Sequence, residues 1–290
     1  MESFENNEFE KTVLITGCSS GIGRSTAIHF ARLDWHVIAT VRHQDDADKL
    51  MMLGYTNIQA ELLDVDDENQ IQSLFNRIKQ QSPNAGLDVL INNAAIAEPY
   101  PLEFANIEHF QRHLSTNVIA PMVLIRTFLP LLRQNSGSIV NVGASSFRMS
   151  TPLMGAYNAS KAALQALSDV LRIELHGSSV RVIVIEPGVV DTPLHNHIHN
   201  KQTQLASQIT TEGFHSYQGM IDRQSSVKSH LKKNALKPSR VARLIAKVVL
   251  LDNPKPVYQV GMDAKLISFV DPVLSTPIKG KLWKTVLGNS

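Results

Sequence analysis

Between residues 10 and 260, short apolar runs alternate with longer stretches in which apolar positions recur every three or four residues. That alternation is the signature of crossover β-α-β units carrying a parallel sheet buried on both faces. Seven strands are predicted, at Thr12–Thr16, His36–Thr40, Asn57–Leu62, Val89–Ile91, Ser138–Val142, Val180–Ile185 and Val257–Val260. Helices are predicted at Gly21–Leu33, Asp67–Gln80, Ile107–Leu132, Ala156–Leu175 and Ser239–Leu251. Acidic residues open the second of these, where they complement the helix dipole. The expected fold is α/β, a doubly wound parallel seven-stranded sheet with helices on both faces. Two segments break the rhythm: a polar, histidine-spotted stretch, 194–237, and a tail, 262–290. A connection of that length inside a compact domain is more often a binding loop than a linker.

Composition narrows the class. With 290 residues, 43% of them hydrophobic, the chain suffices for one substantial core, so a single domain is expected. A net charge of +2, without lysine and arginine stripes, argues against nucleic acid as a partner. The single cysteine, Cys18, has no internal disulfide partner, and the acidic start MESFENNEFE lacks the features of a secretion signal. A reducing, cytoplasmic setting is the expectation. The best membrane-span candidate, Ile119 to Leu132, is interrupted by Pro121, Arg126 and Pro130.

Candidate chemistry begins at the first predicted strand, where Val13-Leu14-Ile15-Thr16-Gly17-Cys18-Ser19-Ser20-Gly21-Ile22-Gly23 passes through a glycine turn into a helix. Glycines at 17, 21 and 23 permit a tight turn, a close backbone approach to a ligand and helix–strand packing, while the helix N-terminus offers N–H groups to a pyrophosphate. Taken alone, such a cluster is also compatible with an ordinary turn. Tyr157 and Lys161, four residues apart, share one face of a predicted helix. That spacing suits a proton-transfer pair, and equally a packed ring beside a solvated amine.

Together these segments resemble the short-chain dehydrogenase/reductase family over roughly residues 10 to 260. Thr16-Gly17-Cys18-Ser19-Ser20-Gly21-Ile22-Gly23 is similar to its T-G-x-x-x-G-x-G, Asn92-Asn93-Ala94-Ala95 to N-N-A-G, Tyr157-Asn158-Ala159-Ser160-Lys161 to Y-x-x-x-K, and Pro187-Gly188 to the P-G after strand six. The resemblance implies a Rossmann-like domain and a nicotinamide cofactor held by Gly17, Ser19, Ser20, Gly21, Ile22, Gly23, Arg42, Asp64, Val65, Asn92, Ala94, Tyr157, Lys161, Pro187, Gly188, Val190 and Thr192. Asp64 would meet the adenine edge and Thr192 the carboxamide; a turn acid and a helix cap are the plain alternatives. It further implies that Tyr157 is the general acid/base, that Lys161 holds the ribose and that Asn117 supports a water-linked relay. Lowering a tyrosine pKa from about 10 to neutrality takes roughly 4 kcal/mol, to which the Lys161 ammonium is expected to contribute.

Two positions depart from the family. Its serine, about thirteen residues before the tyrosine, is replaced by Ala144, so Ser145 becomes the expected substrate donor through a one-residue slip in the loop. Loss of such a donor costs about 100- to 1000-fold in turnover. Ala95 stands in place of glycine, and its methyl is tolerated wherever φ is negative. At the end of strand two the chain reads Ala39-Thr40-Val41-Arg42-His43, without the acid that would bind the ribose of NAD. Arg42 can fork onto a 2′-phosphate and Ser20 can add a hydroxyl, so NADP(H) is favoured over NAD(H). A solvated surface charge is the alternative for Arg42.

Within the polar stretch, Leu194, Ile198, Leu205, Ile209, Phe214, Tyr217, Met220 and Ile221 are expected to line an apolar pocket, while His195, His197 and His199 read as part of a polar lid rather than as metal ligands. A hydrophobic alcohol or ketone substrate follows, and the sequence looks most like the branch acting on steroids, retinoids and acyl-lipid ketones. In the tail, Leu266, Ile267, Phe269, Val270, Val273 and Leu274 precede Lys279, Lys281 and Lys284. The tail can pack on its own domain, cover a subunit interface or touch a membrane surface; of the two functional readings the interface is preferred, and a homo-oligomer is expected. The overall expectation is an NADP(H)-dependent alcohol dehydrogenase or carbonyl reductase. The rival is an NADP(H)-binding sensor or scaffold without turnover, motivated by Ala144 and Ala95.

Overall fold

The strands predicted from alternation assemble into one parallel sheet because their residues are apolar on both faces, and each face is covered by helices. A computed structural model describes residues 11–81, 86–194 and 235–287, together with 197, 198, 200, 217 and 219–223. The strands are β1 (Thr12–Ile15), β2 (His36–Val41), β3 (Ile58–Leu62), β4 (Val89–Asn92), β5 (Ser138–Val142), β6 (Arg181–Pro187) and β7 (Val257–Val260). Their order is β3-β2-β1-β4-β5-β6-β7, all neighbours parallel, with β1 flanked by β2 (Val13 beside Val37) and β4 (Val13 beside Val89). The strand order reverses between β1 and β4, and that reversal opens a crevice at the carboxyl ends of the strands, where open α/β sheets bind ligands.

The described helices are α1 (Gly21–Ala31), α2 (Gln44–Met51), α3 (Glu68–Gln81), α4 (Ile107–Leu114), α5 (Ala120–Gln134), α6 (Gly155–Glu174), α7 (Pro238–Val249), α8 (Met262–Val270) and α9 (Thr276–Leu287). On one face of the sheet α1 and α7 pack Phe30, Val241 and Ile245 against Val37, Ile91 and Ile183. Phe30 also meets Trp35 edge-on, with ring centroids 4.9 Å apart. On the other face α3 and α5 bring Ile71, Leu74, Leu124 and Phe128 against Leu14, Leu90 and Ile139. Each of these side chains is fully buried or nearly so, worth about 1.5–3 kcal/mol apiece relative to exposure.

Three features differ from the sequence reading. Helix α2 was not expected: with only Ala47 and Leu50 buried, its eight residues are too short and too polar to show a period. Between α4 and α5 the backbone does not continue as α-helix but widens into a π-helical turn, Ser115–Ile119. The run 107–134 is thereby helical throughout and is long and apolar enough to cross a membrane by composition, which the proline and arginine interruptions had hidden. More than half of that window is buried, 56%, and α5 packs on the sheet as a core helix. Finally, the tail is not irregular: it forms α8, a 3-10 turn at Asp271–Val273, and α9.

Candidate active site

The crevice is a cavity of about 820 Å³, within the range of roughly 300–1,000 Å³ usual for small-molecule sites. Its floor is the β1–α1 turn. Gly17 (φ +69°) and Gly21 (φ +56°) take left-handed conformations that side chains disfavour. A Cβ at Gly23 would stand 2.2 Å from the Gly17 carbonyl oxygen and 2.5 Å from Asn93 Nδ2, so only glycine lets α1 start this close to the turn. The first-turn N–H groups of α1 have no intrahelical acceptors and face the same opening, which makes this cradle fit a pyrophosphate.

Of the cofactor residues expected from sequence, Gly17, Ser19, Ser20, Gly21, Ile22, Arg42, Asp64, Val65, Ala94, Tyr157, Lys161, Pro187, Gly188, Val190 and Thr192 all line the cavity. Two do not. Gly23 lies behind the turn as a packing position, and the Asn92 side chain points into the interior, donating to Asn141 Oδ1 at 2.8 Å. Its neighbour Asn93, passed over in the sequence, laces the turn instead: Nδ2 donates to the Thr16 carbonyl at 2.8 Å and the Gly17 carbonyl at 3.1 Å. Thr16 Oγ1 in turn accepts the N–H groups of Asn93 and Ala94, both at 3.0 Å. Cys18 beside the turn is fully buried, and desolvation pushes its thiol well up, so it is no nucleophile. Ala95 lines the cavity with a negative φ, so its methyl is accommodated.

At the outer end, Arg42 is exposed, and its Nε donates to His43 at 3.3 Å. Asp64 shapes the β3–α3 loop, where Oδ1 accepts the N–H of Asp66 at 3.1 Å. Asp66, not anticipated, also lines the cavity and accepts the hydroxyls of Ser115 (2.8 Å) and Thr116 (2.7 Å) from the π-helical turn.

At the inner end stand Tyr157 and Lys161 of α6. Lys161 is 3% exposed; Nζ donates to the Val142 carbonyl at 2.8 Å and lies 5.8 Å from the centroid of the Tyr157 ring. Burial pushes the Tyr157 phenol up to about 12 and Lys161 down to about 8. In the cofactor-free site burial raises the phenol, and the lysine ammonium is anchored to β5. Asn117 stands behind the cavity lining. Its side chain does not line the cavity; Oδ1 accepts Ile96 N–H at 2.9 Å, and Nδ2 donates at 2.9 Å to both the Ile96 carbonyl and Ser160 Oγ. Ser160 Oγ then donates to the Tyr157 carbonyl at 2.7 Å. Asn117 therefore ties the loop after β4 to the turn bearing Tyr157, a positioning role made at a π-helical turn, where such irregularities commonly serve function.

Ser145 lines the cavity as expected, yet its hydroxyl makes a long 3.3 Å bond to the Pro187 carbonyl, while Ser146 Oγ donates to Asn158 Oδ1 at 3.2 Å. Ala144 also lines the cavity. From the polar stretch, Leu194 and Ile198 pack beside Tyr157 with Ala97 and Met154. Tyr217, Met220 and Ile221 instead join Leu153, Tyr100 and Phe104 in a separate cluster, where the Tyr217 hydroxyl donates to Glu103 at 2.8 Å. His197 lines the cavity; Leu205, Ile209, Phe214, His195 and His199 lie outside the described residues.

The tail supplies a wall that the sequence reading did not assign to the site: Asp263, Ile267 and Trp283 line the cavity together with Met149. Charge holds it there. Glu186, with no exposure, accepts Arg148 at 2.7 Å, and Arg148 Nη1 donates to Asp271 at 3.3 Å. Lys279 also pairs with Asp271 and donates to the Arg148 carbonyl at 3.0 Å, and Trp283 Nε1 donates to the Met149 carbonyl at 2.6 Å. Removing one partner of such a buried pair costs about 3–5 kcal/mol, because the other charge is left without compensation.

The Lys161 shift has a pH consequence for the cofactor-free protein. Its folded pKa, about 8, lies below the ordinary 10.5, so between these values the unfolded chain holds a proton that the folded chain has released. Stability therefore gains from this group as pH rises through that window. Urea midpoints of Lys161→Met and the parent chain, compared from pH about 8 to about 10, should show the parent gaining on the variant; parallel curves would contradict the burial argument.

The comparisons with known proteins agree with this geometry. The short chain dehydrogenase family profile matches residues 11–203. The chain is 31% identical over 270 residues to 3-amino-tetrahydro-pyrrolizinone reductase of Xenorhabdus hominickii, covering 91% of this chain and 92% of that protein. It is 28% identical over 278 residues to human retinol dehydrogenase 5, covering 91% and 87%. A crystal structure of a short-chain dehydrogenase from Streptomyces avermitilis shares the fold, with a TM-score of 0.75, 23% identity and coverage of 97% and 98%. With its seven-stranded parallel sheet, glycine cradle and paired Tyr157 and Lys161, the chain belongs to the short-chain dehydrogenase family of nicotinamide-dependent oxidoreductases.

Proposed function

We propose that the protein is an NADP(H)-dependent reductase of hydrophobic ketones, running in reverse as an alcohol dehydrogenase. The observation that carries this reading is the single cavity wall joining the glycine cradle and Arg42 at one end to Tyr157 and Lys161 at the other. Bound along it, the nicotinamide supplies or accepts the hydride. The α1 N-terminus would hold the pyrophosphate, Arg42 and Ser20 the 2′-phosphate, and Thr192 the carboxamide end.

Tyr157 is the proton donor of the proposed reaction. With its pKa raised to about 12 the phenol is protonated at neutral pH, the form that gives a proton to a carbonyl oxygen becoming an alcohol. Oxidation of an alcohol would instead need the phenolate as base, and the direction taken follows the supply of cofactor and substrate. Lys161, fixed on Val142, stands beside the ring to carry the ribose and to offset negative charge on the tyrosine. Ser145 is the candidate substrate donor, but it must turn its hydroxyl from Pro187 to serve. Apolar contact with the substrate falls to Met149, Met154, Leu194, Ile198, Ile267 and Trp283, which supports a hydrophobic molecule. The retinol in the name of one relative is such an alcohol.

One observation favours the competing reading of a cofactor-bound protein without turnover: Ala144 occupies the serine's place while Ser145 Oγ is engaged. Steady-state assays separate the two. Tyr157→Phe should remove ketone-dependent NADPH oxidation by at least about 1000-fold while leaving NADPH affinity within a few-fold; retained turnover would sink the mechanism, and a parent chain that binds NADPH but turns over no apolar ketone would establish the sensor. For the cofactor, Arg42→Ala should weaken NADPH by about tenfold or more, with NADH little changed, as fits loss of a charge-assisted bond. Equal weakening of both would remove Arg42 from the 2′-phosphate.

A further inference from the structure

Helix α8 presents apolar residues to solvent in a regular stripe. Met262, Leu266, Phe269 and, in the following turn, Val273 are 78%, 63%, 80% and 76% exposed, at spacings of four, three and four residues that place them along one side of a helix. Ile278 and Leu282 of α9, 44% and 43% exposed, repeat the four-residue spacing. The opposite side of the same pair is fastened to the body: Ala264 is fully buried, Asp263 accepts the Val189 N–H at 2.7 Å, and Trp283 and Lys279 hold the Ser146–Met149 turn. The stripe is thus the outer surface of a fixed element, and the inner surface of that element is the cavity wall.

Charge identifies what covers it. Between residues 262 and 287 the only acids are Asp263 and Asp271, and both are half-buried and hydrogen-bonded inward. Lys279 is likewise spent on Asp271, which leaves Lys265, Lys281 and Lys284 as the exposed charges of this segment. An apolar stripe flanked by cations alone is complementary to an anionic lipid surface, with Phe269 and its neighbours in the acyl boundary and the ammonium groups among the headgroups. A second copy is disfavoured on the same ground, since a two-fold contact would bring three lysines from each chain together with no acid in the segment to answer them.

We propose that the α8–α9 face docks the protein peripherally on anionic membranes, with the cavity wall at Ile267 and Trp283 directly behind the docking face, so that apolar substrate passes between bilayer and site. This reverses the preference for a subunit interface drawn from sequence. The docking itself does not depend on the cofactor or substrate assignment.

The test is co-sedimentation of the full-length protein with vesicles of phosphatidylcholine alone and of phosphatidylcholine with one-third phosphatidylserine, at low and high salt. Binding to the mixed vesicles is expected to exceed that to phosphatidylcholine by about tenfold and to weaken with salt. The double variant Leu266→Glu, Phe269→Glu should lose at least about tenfold, since burial of these side chains is what it removes, with its thermal midpoint and NADPH binding retained. Should that variant fail to fold, Lys265→Gln, Lys281→Gln, Lys284→Gln keeps the apolar stripe and should still lose the preference for phosphatidylserine. No pelleting by the parent chain, or pelleting unchanged by either set of substitutions, overturns the proposal. A self-association that the glutamate variant abolishes, without vesicle binding by the parent, assigns the face to a second copy instead.

Discussion

The contact between the start of α1 and the end of β1 constrains everything else at the carboxyl edge of the sheet. Gly23 lies so close to the Gly17 carbonyl that a methyl group would overlap it, and the Asn93 amide occupies the remaining space while bonding both Thr16 and Gly17. Because Thr16 Oγ1 accepts two N–H groups from the chain after β4, the turn and that chain form one hydrogen-bonded knot at the point where strand order reverses. The knot aims the first turn of α1 into the cavity. It also fixes where the chain after β4 runs, and through Asn117 and Ser160 that chain sets the height of Tyr157. The glycine turn and Tyr157 are thereby parts of one polar framework, tied by the side chains of Thr16, Asn93, Asn117 and Ser160.

The strands, the cradle and the Tyr157–Lys161 pair were legible because each writes its physics locally, as an apolar run, a glycine spacing or a helical offset of four. What was misread depends on partners distant in the chain. Asn92 and Asn93 are indistinguishable by type, and only the pleat decides that one faces Asn141 inside the sheet and the other the turn. The helical offset showed Tyr157 and Lys161 together but not that Lys161 Nζ is bound to the Val142 carbonyl, nineteen residues away, nor that burial raises the phenol in the cofactor-free site. Likewise Tyr217, Met220 and Ile221 read as pocket residues by composition, yet they pack in another cluster with Tyr100, Phe104 and Leu153, more than sixty residues earlier in the chain.

The tail shows the same limit from the other side. Its apolar residues were visible, but the sequence does not show that Glu186 and Arg148 hold the tail through Asp271, with Lys279 bound to the same carboxylate. Once those ions are satisfied internally, Ile267 and Trp283 become cavity wall and the alternate positions become surface. The cavity wall and the attachment of the tail are consequently coupled: the Ser146–Met149 turn that carries Met149 to the cavity is held by Arg148 to β6 and by Trp283 to α9.

The proposed function requires a single nucleotide lying from Arg42 across the glycine turn to Tyr157. A crystal structure of the protein grown with NADP+ tests it most directly. The pyrophosphate is expected against the first turn of α1, the 2′-phosphate on Arg42 and the nicotinamide within reach of Tyr157 and Lys161. A nucleotide found elsewhere, or one whose nicotinamide end lies away from Tyr157, would contradict it.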